Sequence, residues 1–563
     1  MKIKPFPTKN ITELFKSFQS LLIQQKLDLD KISTSKSSYQ TILKPIQDLE
    51  SQQDFFFKLI THIHKTNNSK ESQKIYLKSL ELLLELRGGI FSDKNLFEKI
   101  KDIKTITKDE QSVKDIYLKE FTLSGIQLEK REQLELQRVD LELKTLANSF
   151  SQNVIDSGFN YQEYLLIMQK SPNRKEREEA YKRYTSRASK NAKVVDSMLF
   201  LRDKKAKLLG FECYAQLSFE TKEATLKEVI KFLEESISKT KIQALKELEE
   251  LSNFALKQDG IKEIEPFDIP YYKERIKSKK FVFDDKFEES LVLNALLKFV
   301  EESFQVTFVP SDTNIWHESV EVFDIYKDSS LMGRIYFDLH IRKNKKGGAW
   351  MNNWQSYFVD SKEKTHLPVV FVVCNFPSAK NADVSTLKHS HIVTLFHEMG
   401  HALHHLFSIS SEYSISGING TAWDIVETPS QFLENFAYEE RLLREFGDMD
   451  NKTISSIKKS RYIHTSFEKL EKLERSLFDI KLHQKLYQGE EIQTLLDEIR
   501  EETSIVKTPP YNKMQNSFGH IFSGGYASGY YGYLWSKELS SRAFKESEDL
   551  TYSAIILKTL LSL

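Results

Sequence analysis

The chain has 563 residues, enough to bury a large core and too many for one ordinary domain. Lys plus Arg and Asp plus Glu are each 81, so the formal net charge is zero, which removes the electrostatic case for nucleic acid or an anionic membrane surface as partner. Its two cysteines, Cys213 and Cys374, lie far apart outside any CxxC, which excludes a disulfide scaffold and fits a reducing compartment.

Charged residues make up 29% of the chain while Gly (19) and Pro (12) are scarce, so helix is favoured. The N-terminus, MKIKPFPTKNITELFKSFQS, lacks the apolar run of a signal peptide, and no window approaches the roughly 18 apolar residues of a membrane span. A soluble, cytoplasmic, mainly helical protein is expected. Residues 11–160 read as successive amphipathic helices: leucines recur at helical spacing in IYLKSLELLLELR (75–87), and 126–155 is long, charged and periodic. At 171 a helix start is expected, with Ser171 as cap and Pro172 in the first turn of NRKEREEAYKRYTSRASK. DGIKEIEPFDIPYYKERI (259–276) carries Gly and Pro and reads as a connector. VEVFDIYK (320–327), GRIYFDLH (333–340) and LPVVFVVCNF (367–376) are β-branched and aromatic and read as strands of a small sheet. KNKKGGAWMNNW (343–354) between them reads as a basic turn, and helix returns after 385.

TLFHEMGHALHH (394–405) carries four histidines and a glutamate in twelve positions. His397 and His401 project from one helical face one turn apart, where two neutral imidazoles can bind Zn²⁺ at about 2.0–2.1 Å each. Glu398 follows the first histidine directly, the position of the general base in an HExxH arrangement. Gly400 weakens the helix by about 1 kcal/mol relative to alanine, which points to close approach of another backbone. His404 and His405 fit packing or supporting roles better than ligation. A catalytic zinc needs a third protein ligand and one open position. A metzincin extension would need glycine at 404 and histidine at 407, where the chain has His404 and Phe407. The acidic candidates are Glu412, Asp424, Glu427, Glu434 and the pair Glu439 and Glu440. In WDIVETPSQFLENF (423–436), Pro429 suits the first turn of a new helix and sets Glu427 at its entry; Glu427 is taken as ligand, with Asp424 as the alternative. Glu434, two turns on along the same face, is placed to support a histidine ligand.

FGHIFSGGYASGYYGYLW (518–535) is dense in glycine and tyrosine. Tyr531 and Trp535 read as packing. His520, Tyr526, Tyr530 and Tyr533 are suitable donors to a developing oxyanion, on a glycine-hinged loop that could close over substrate.

LFHEMGHALHHLFS, SGINGTAWDIVETPSQFLEN and FGHIFSGGYASGYYGYLWS resemble the three signature segments of the thimet oligopeptidase family of zinc metallopeptidases, most closely its bacterial oligopeptidase A and dipeptidyl carboxypeptidase branch. FTLSGIQL (121–128), YKRYTSRASK (181–190), LLGFECYA (208–215) and IYFDLHIRKNKKGGAWM (335–351) extend the resemblance over most of the chain beyond about 120. It implies one Zn²⁺ per chain held by His397, His401 and Glu427, with Glu398 as base and His520, Tyr526, Tyr530 and Tyr533 as the oxyanion-stabilising and substrate-binding loop. The 25 residues between His401 and Glu427 suit this branch; zincins with a nearer glutamate would need it at Gly420 or Thr421. The implied fold is mainly α with a small β-sheet, a zincin-type catalytic lobe in a two-lobed helical ellipsoid split by a deep channel that admits only short unfolded peptides. Residues 1–160 are then an N-terminal helical region and 161–563 the zinc peptidase region, with its active-site core at about 330–540 and the protein a monomer. The chain departs from the family pattern where FNYQEYL (159–165) runs straight on in place of a longer insert, and where it stops at ILKTLLSL. The rival reading is a non-catalytic peptide-binding protein on a peptidase scaffold.

Overall fold

LPVVFVVCNF supplies the spine of a five-stranded mixed sheet in the computed structural model, which describes residues 3–7, 10–159, 161–281, 283–378 and 384–546. The strands are β1 (Thr307–Pro310), β2 (Glu321–Lys327), β3 (Ser330–His340), β4 (Trp350–Gln355) and β5 (Val369–Phe376), in the order β1-β2-β3-β5-β4. β5 runs parallel to β3 and antiparallel to β4. Because side chains alternate along a strand, its continuous apolar run serves two cores at once. Val369, Phe371 and Val373 join Val322, Tyr336, Trp354 and the N-terminal helices in one cluster. Val370, Val372 and Cys374 join Ile335, Phe337 and the apolar face of the histidine helix in another.

Everything else that is described is chiefly helix, in agreement with a mainly α fold carrying small sheets. Two-stranded ribbons pair Phe287–Glu288 with Thr386–Leu387 and Phe358–Val359 with Thr365–His366. Three local expectations need correction. The basic turn ends before Trp350, and WMNNWQ forms edge strand β4, because pairing to β5 outweighs the weak strand propensity of its asparagines. The helix Arg174–Thr185 is capped by Asn173, whose side chain accepts from the Lys175 and Glu176 N–H groups, and Pro172 lies outside it. The connector shrinks: a 34-residue helix runs over Leu226–Asp259, ends at left-handed Gly260 (φ 68°), and the next begins at Ile269 with proline in its first turn. ILKTLLSL lies outside the described residues. No described helix is long and apolar enough to cross a membrane.

The helix Lys44–Thr66 lies against the sheet and presents His62 to it. This ring is fully buried, with centroids 4.1 Å from Phe371 and 4.2 Å from Trp316. Neither nitrogen has a partner among the described residues, and burial pushes its pKa down to about 3. The unfolded chain protonates His62 near pH 6.5 and the folded chain does not, so stability is lost as pH falls below about 6.5, by up to about 1.4 kcal/mol per unit. Urea unfolding between pH 7 and pH 4.5 should show at least this slope in the wild type, and His62→Leu should reduce it by up to about 1.4 kcal/mol per unit; an unchanged slope would assign the acid sensitivity elsewhere.

Candidate active site

The HExxH helix spans His389–Leu406 and is held by its apolar side: Ile392, Leu395, Phe396, Met399 and Leu403 are each 0% exposed in the core beneath the sheet. That burial turns His397 and His401 outward together, with ring centroids 5.1 Å apart. Gly400, between them, meets the short helix Thr428–Leu433 backbone to backbone. A Cβ placed on it would lie 2.5 Å from Ser430 Cα and 2.6 Å from the Pro429 carbonyl oxygen. The return path is equally tight at Gly417 (φ 61°), where a Cβ would lie 2.5 Å from His405 Nδ1. Pro429 sits in the first turn of the short helix and Glu427 at its N-cap. Glu427 Oε2 thereby comes within 3.2 Å of His397 Nε2 and 3.3 Å of His401 Nε2. Among the described residues these three make the one group able to hold a metal ion, with ligand atoms all within 4.8 Å of one another.

A carboxylate from the same short segment fixes the first ring: Glu434 Oε1 lies 2.8 Å from His397 Nδ1, and its other oxygen accepts from Lys537 Nζ at 2.9 Å. Burial opposes charge on His397, yet Glu427 and Glu434 outweigh it and hold the imidazole up at about 10. Burial likewise opposes ionisation of Glu434, but His397 and Lys537 bring it down to about 2; Glu427 is lowered by the two histidines. Glu398 differs. It is 5% exposed, and burial pushes its carboxyl up against the pull of His397 and His401, with the Met351 N–H of β4 bonding it. Three carboxylates thus face two histidines and one lysine; with both imidazoles neutral, as ligation requires, that is a surplus of negative charge that a bound cation satisfies. Two imidazole nitrogens and one carboxylate oxygen, with the far nitrogen of one ring already engaged, fit zinc in chemistry and number.

The tyrosine segment covers this cluster. Tyr526 lies against Glu427 and Tyr533, and its phenol is raised by burial; Tyr533, also raised by burial, stacks on Tyr526 with centroids 5.2 Å apart. His520, exposed to the adjoining cavity, is 6.1 Å from both rings, and burial and Arg475 lower its pKa. Tyr530 is 5% exposed, enclosed by Phe518 at 4.9 Å and His520 at 5.2 Å. Tyr531 stacks on Phe219 at 5.5 Å and Trp535 packs edge-on to Phe232 at 5.1 Å.

The remaining candidates lie elsewhere. Asp424 accepts from the Glu223 and Ala224 N–H groups (3.1 and 3.0 Å) and the Tyr531 hydroxyl (2.9 Å), so its carboxylate is fully engaged as a strut. Glu412 is bound by Tyr39 (2.6 Å), Lys44 (2.8 Å) and Gln47 (2.7 Å), tying the N-terminal helices to the chain beyond the HExxH helix. Glu440 pairs with Arg444, and Glu439 precedes the helix Glu440–Glu445 as its N-cap. His404 and His405 are buried, with burial lowering their pKa values to about 4 and about 3; His405 Nε2 lies 2.9 Å from the Gln355 carbonyl oxygen of β4. One residue that sequence reasoning missed is Asp479, on the helix Thr465–Leu482. Its carboxylate accepts from the N–H groups of Ser528 (2.8 Å), Gly529 (2.9 Å) and Tyr530 (3.0 Å), clamping the tyrosine segment. The available signal was an aspartate in the core-facing stripe of LFDIKLH.

The fold and this cluster describe a mainly helical protein with an HExxH-type candidate metal site and a His/Tyr segment over it. Residues 167–554 match the family Peptidase family M3, and the chain belongs to it. It is 30% identical to Oligopeptidase A of Escherichia coli (strain K12), over 91% of this chain and 86% of that protein. It is 27% identical to the Probable cytosolic oligopeptidase A of Arabidopsis thaliana (97% and 89% covered) and 26% identical to the Dipeptidyl carboxypeptidase of E. coli (82% and 78% covered). The solved structure of PZ peptidase A with inhibitor 2 shares the fold at a TM-score of 0.63 and 15% identity, covering 99% of this chain and 91% of that one.

Gly400→Ala should lower the melting temperature although alanine is the better helix former. The clash is with backbone, so an overpacking cost of about 1–3 kcal/mol exceeds the propensity gain of about 1 kcal/mol. A melting temperature that rises would contradict the close approach.

Proposed function

We propose that the protein is a zinc-dependent oligopeptidase of the cytoplasm that hydrolyses peptide bonds in short unfolded peptides. The observation that carries this reading is the convergence of His397, His401 and Glu427 with buried Glu398 beside them, the Tyr526 phenol against Glu427 and the Tyr533 phenol on Tyr526. His397, His401 and Glu427 would hold the ion, and Glu434 fixes the His397 ring through Nδ1. Zinc, when bound, supplies Lewis acidity toward a carbonyl oxygen and toward water.

Glu398 takes the proton of the attacking water and returns it to the leaving amine nitrogen. Its raised pKa suits both halves of that task, because a stronger base accepts readily and the resulting acid still donates near neutrality. Tyr526 and Tyr533, kept protonated by burial, donate to the carbonyl oxygen as it gains charge, and neutral His520 offers a further N–H. Tyr530, enclosed between Phe518 and His520, borders substrate by setting the His520 ring, and meets it directly only if that ring turns. A protein that only bound peptides would need neither the base nor the donors.

A quenched-fluorescent peptide should be cleaved by the wild type, with loss of cleavage on adding a zinc chelator and recovery on restoring zinc; binding without cleavage would leave a peptide-binding protein. Glu398→Gln should retain one zinc per chain and lose about 10²–10⁴-fold in turnover; ordinary turnover would remove it as the base. Glu427→Ala should lose zinc by elemental analysis, and full metal content would disqualify it as a ligand.

A further inference from the structure

A cavity of about 1190 Å³ opens beside the tyrosine segment, with His520, Ser523 and Gly524 in one part of its wall. Another part is built by Tyr161, Tyr164 and Leu165. Tyr164 stacks on Tyr184 at 4.2 Å and 19°, and Phe159 and Tyr161 pack on the same ring at 5.1 and 5.9 Å. Arg187 lies over that aromatic cluster, its guanidinium carbon 3.8 Å from the Tyr184 centroid. Its hydrogen bonds among the described residues go to Tyr184, and no carboxylate pairs with it there.

The neighbouring charges leave Arg187 in excess. Arg475, in the same wall, pairs with Glu471 and bonds Tyr530, and its charge repels that of Arg187. Glu474 is held by Arg500 at 3.3 Å. Arg461, also in the wall, is turned to Asn435 Oδ1 at 2.5 Å and the Tyr438 ring at 4.5 Å. Arg475 and Glu471 cancel, Arg500 and Glu474 cancel, and of the two guanidinium groups left without a carboxylate among the described residues Arg461 is taken up by Asn435 and Tyr438, while Arg187 remains half-buried over the Tyr184 ring. A planar guanidinium fork matches a carboxylate with two parallel bonds, which a lysine could not do. Arg475 links this charge to the chemistry, because it touches Tyr530, which touches His520 and Tyr533.

We propose that Arg187, seconded by Arg475, is a subsite for a carboxylate of the peptide substrate, in the cavity that adjoins His520. The proposal rests on the peptidase reading and adds the chemistry that selects among peptides. Its ligand is either the C-terminal carboxylate or an acidic side chain.

Three quenched-fluorescent peptides of one sequence separate these: free C-terminus, amidated C-terminus, and amidated with one glutamine replaced by glutamate. The wild type should show a KM about tenfold lower for the free acid than for the amide, the loss expected when a charged hydrogen-bond partner is removed. Recovery of the low KM by the amidated glutamate peptide would assign the subsite to a side chain. Arg187→Gln should raise the KM of the carboxylate-bearing peptide about tenfold, leaving its kcat and the amide's KM unchanged, and Arg187→Lys should restore part of the difference. The proposal is overturned if the wild type treats all three peptides alike, or if Arg187→Gln shifts all three equally. Should the wild type cleave none of them, the peptidase reading fails by itself. Anisotropy binding of the same peptides to the wild-type protein then still tests the carboxylate preference, as it does if the variant fails to fold.

Discussion

The backbone contact between Gly400 and the Pro429–Ser430 peptide is the constraint on which the site depends. A candidate metal triad split between two helices needs its histidines and its glutamate within a few ångströms, and a larger residue at 400 would hold the two backbones further apart. Removing one Cβ lets the short helix settle directly on the HExxH helix. Glu427, at its N-cap, then reaches both Nε2 atoms, and Glu434, at the other end of the same short helix, reaches His397 Nδ1. One contact thus fixes the candidate ligand Glu427 and the carboxylate on His397 together. The force behind the contact comes from the opposite side, where β5 and the apolar face of the histidine helix share a core.

Buried carboxylates in this protein fall into two kinds, and the difference identifies the site. Asp424, Glu412 and Asp479 each meet three fixed donors, so their charge is spent within the fold. Glu427 and Glu398 are buried as deeply, yet face histidines and each other with Lys537 as the nearby cation paired to Glu434. Placing like charges together in low dielectric costs stability, and a protein keeps such an arrangement where a cation or a proton is meant to be held. The same test picks out Arg187, a half-buried cation without a counter-charge.

Sequence alone made the candidate cluster legible because its members are local in the chain. His397, Glu398 and His401 share five residues, and Glu427 and Glu434 flank a proline-started helix. The strands at 320–340 and 367–376 were legible from β-branched runs. Trp350–Gln355 was not, because its asparagines carry no strand signal and its pairing is set by β5. Asn173 displaced Ser171 as cap because both are good caps and only backbone geometry separates them. Asp479 and Arg187 escaped for a common reason: each acts on a segment far away in the chain, Asp479 on residues 528–530 and Arg187 on a cavity shared with His520.

Asp479 also revises how the tyrosine segment works. Read from its glycines, the segment is a hinged loop free to close over substrate. Three backbone amides tied to one buried carboxylate leave little freedom at residues 528–530, and Ser218 Oγ donates to the Ala527 carbonyl oxygen at 2.9 Å. Exposure is concentrated at Ser523, Gly524 and Gly525, with φ at 86° for the last. Across that exposed turn the Tyr526 N–H still bonds the His520 carbonyl oxygen at 3.0 Å and the Gly524 N–H bonds the Gly519 carbonyl oxygen at 2.8 Å, so His520 is tied to Tyr526 as well. In the proposed mechanism, donors that hardly move would lose little free energy to reorganisation when the carbonyl oxygen gains charge. Discrimination between peptides then has to come from walls that the segment does not supply, and the cavity beside His520 is lined by residues from the helices that contain Tyr164 and Tyr184.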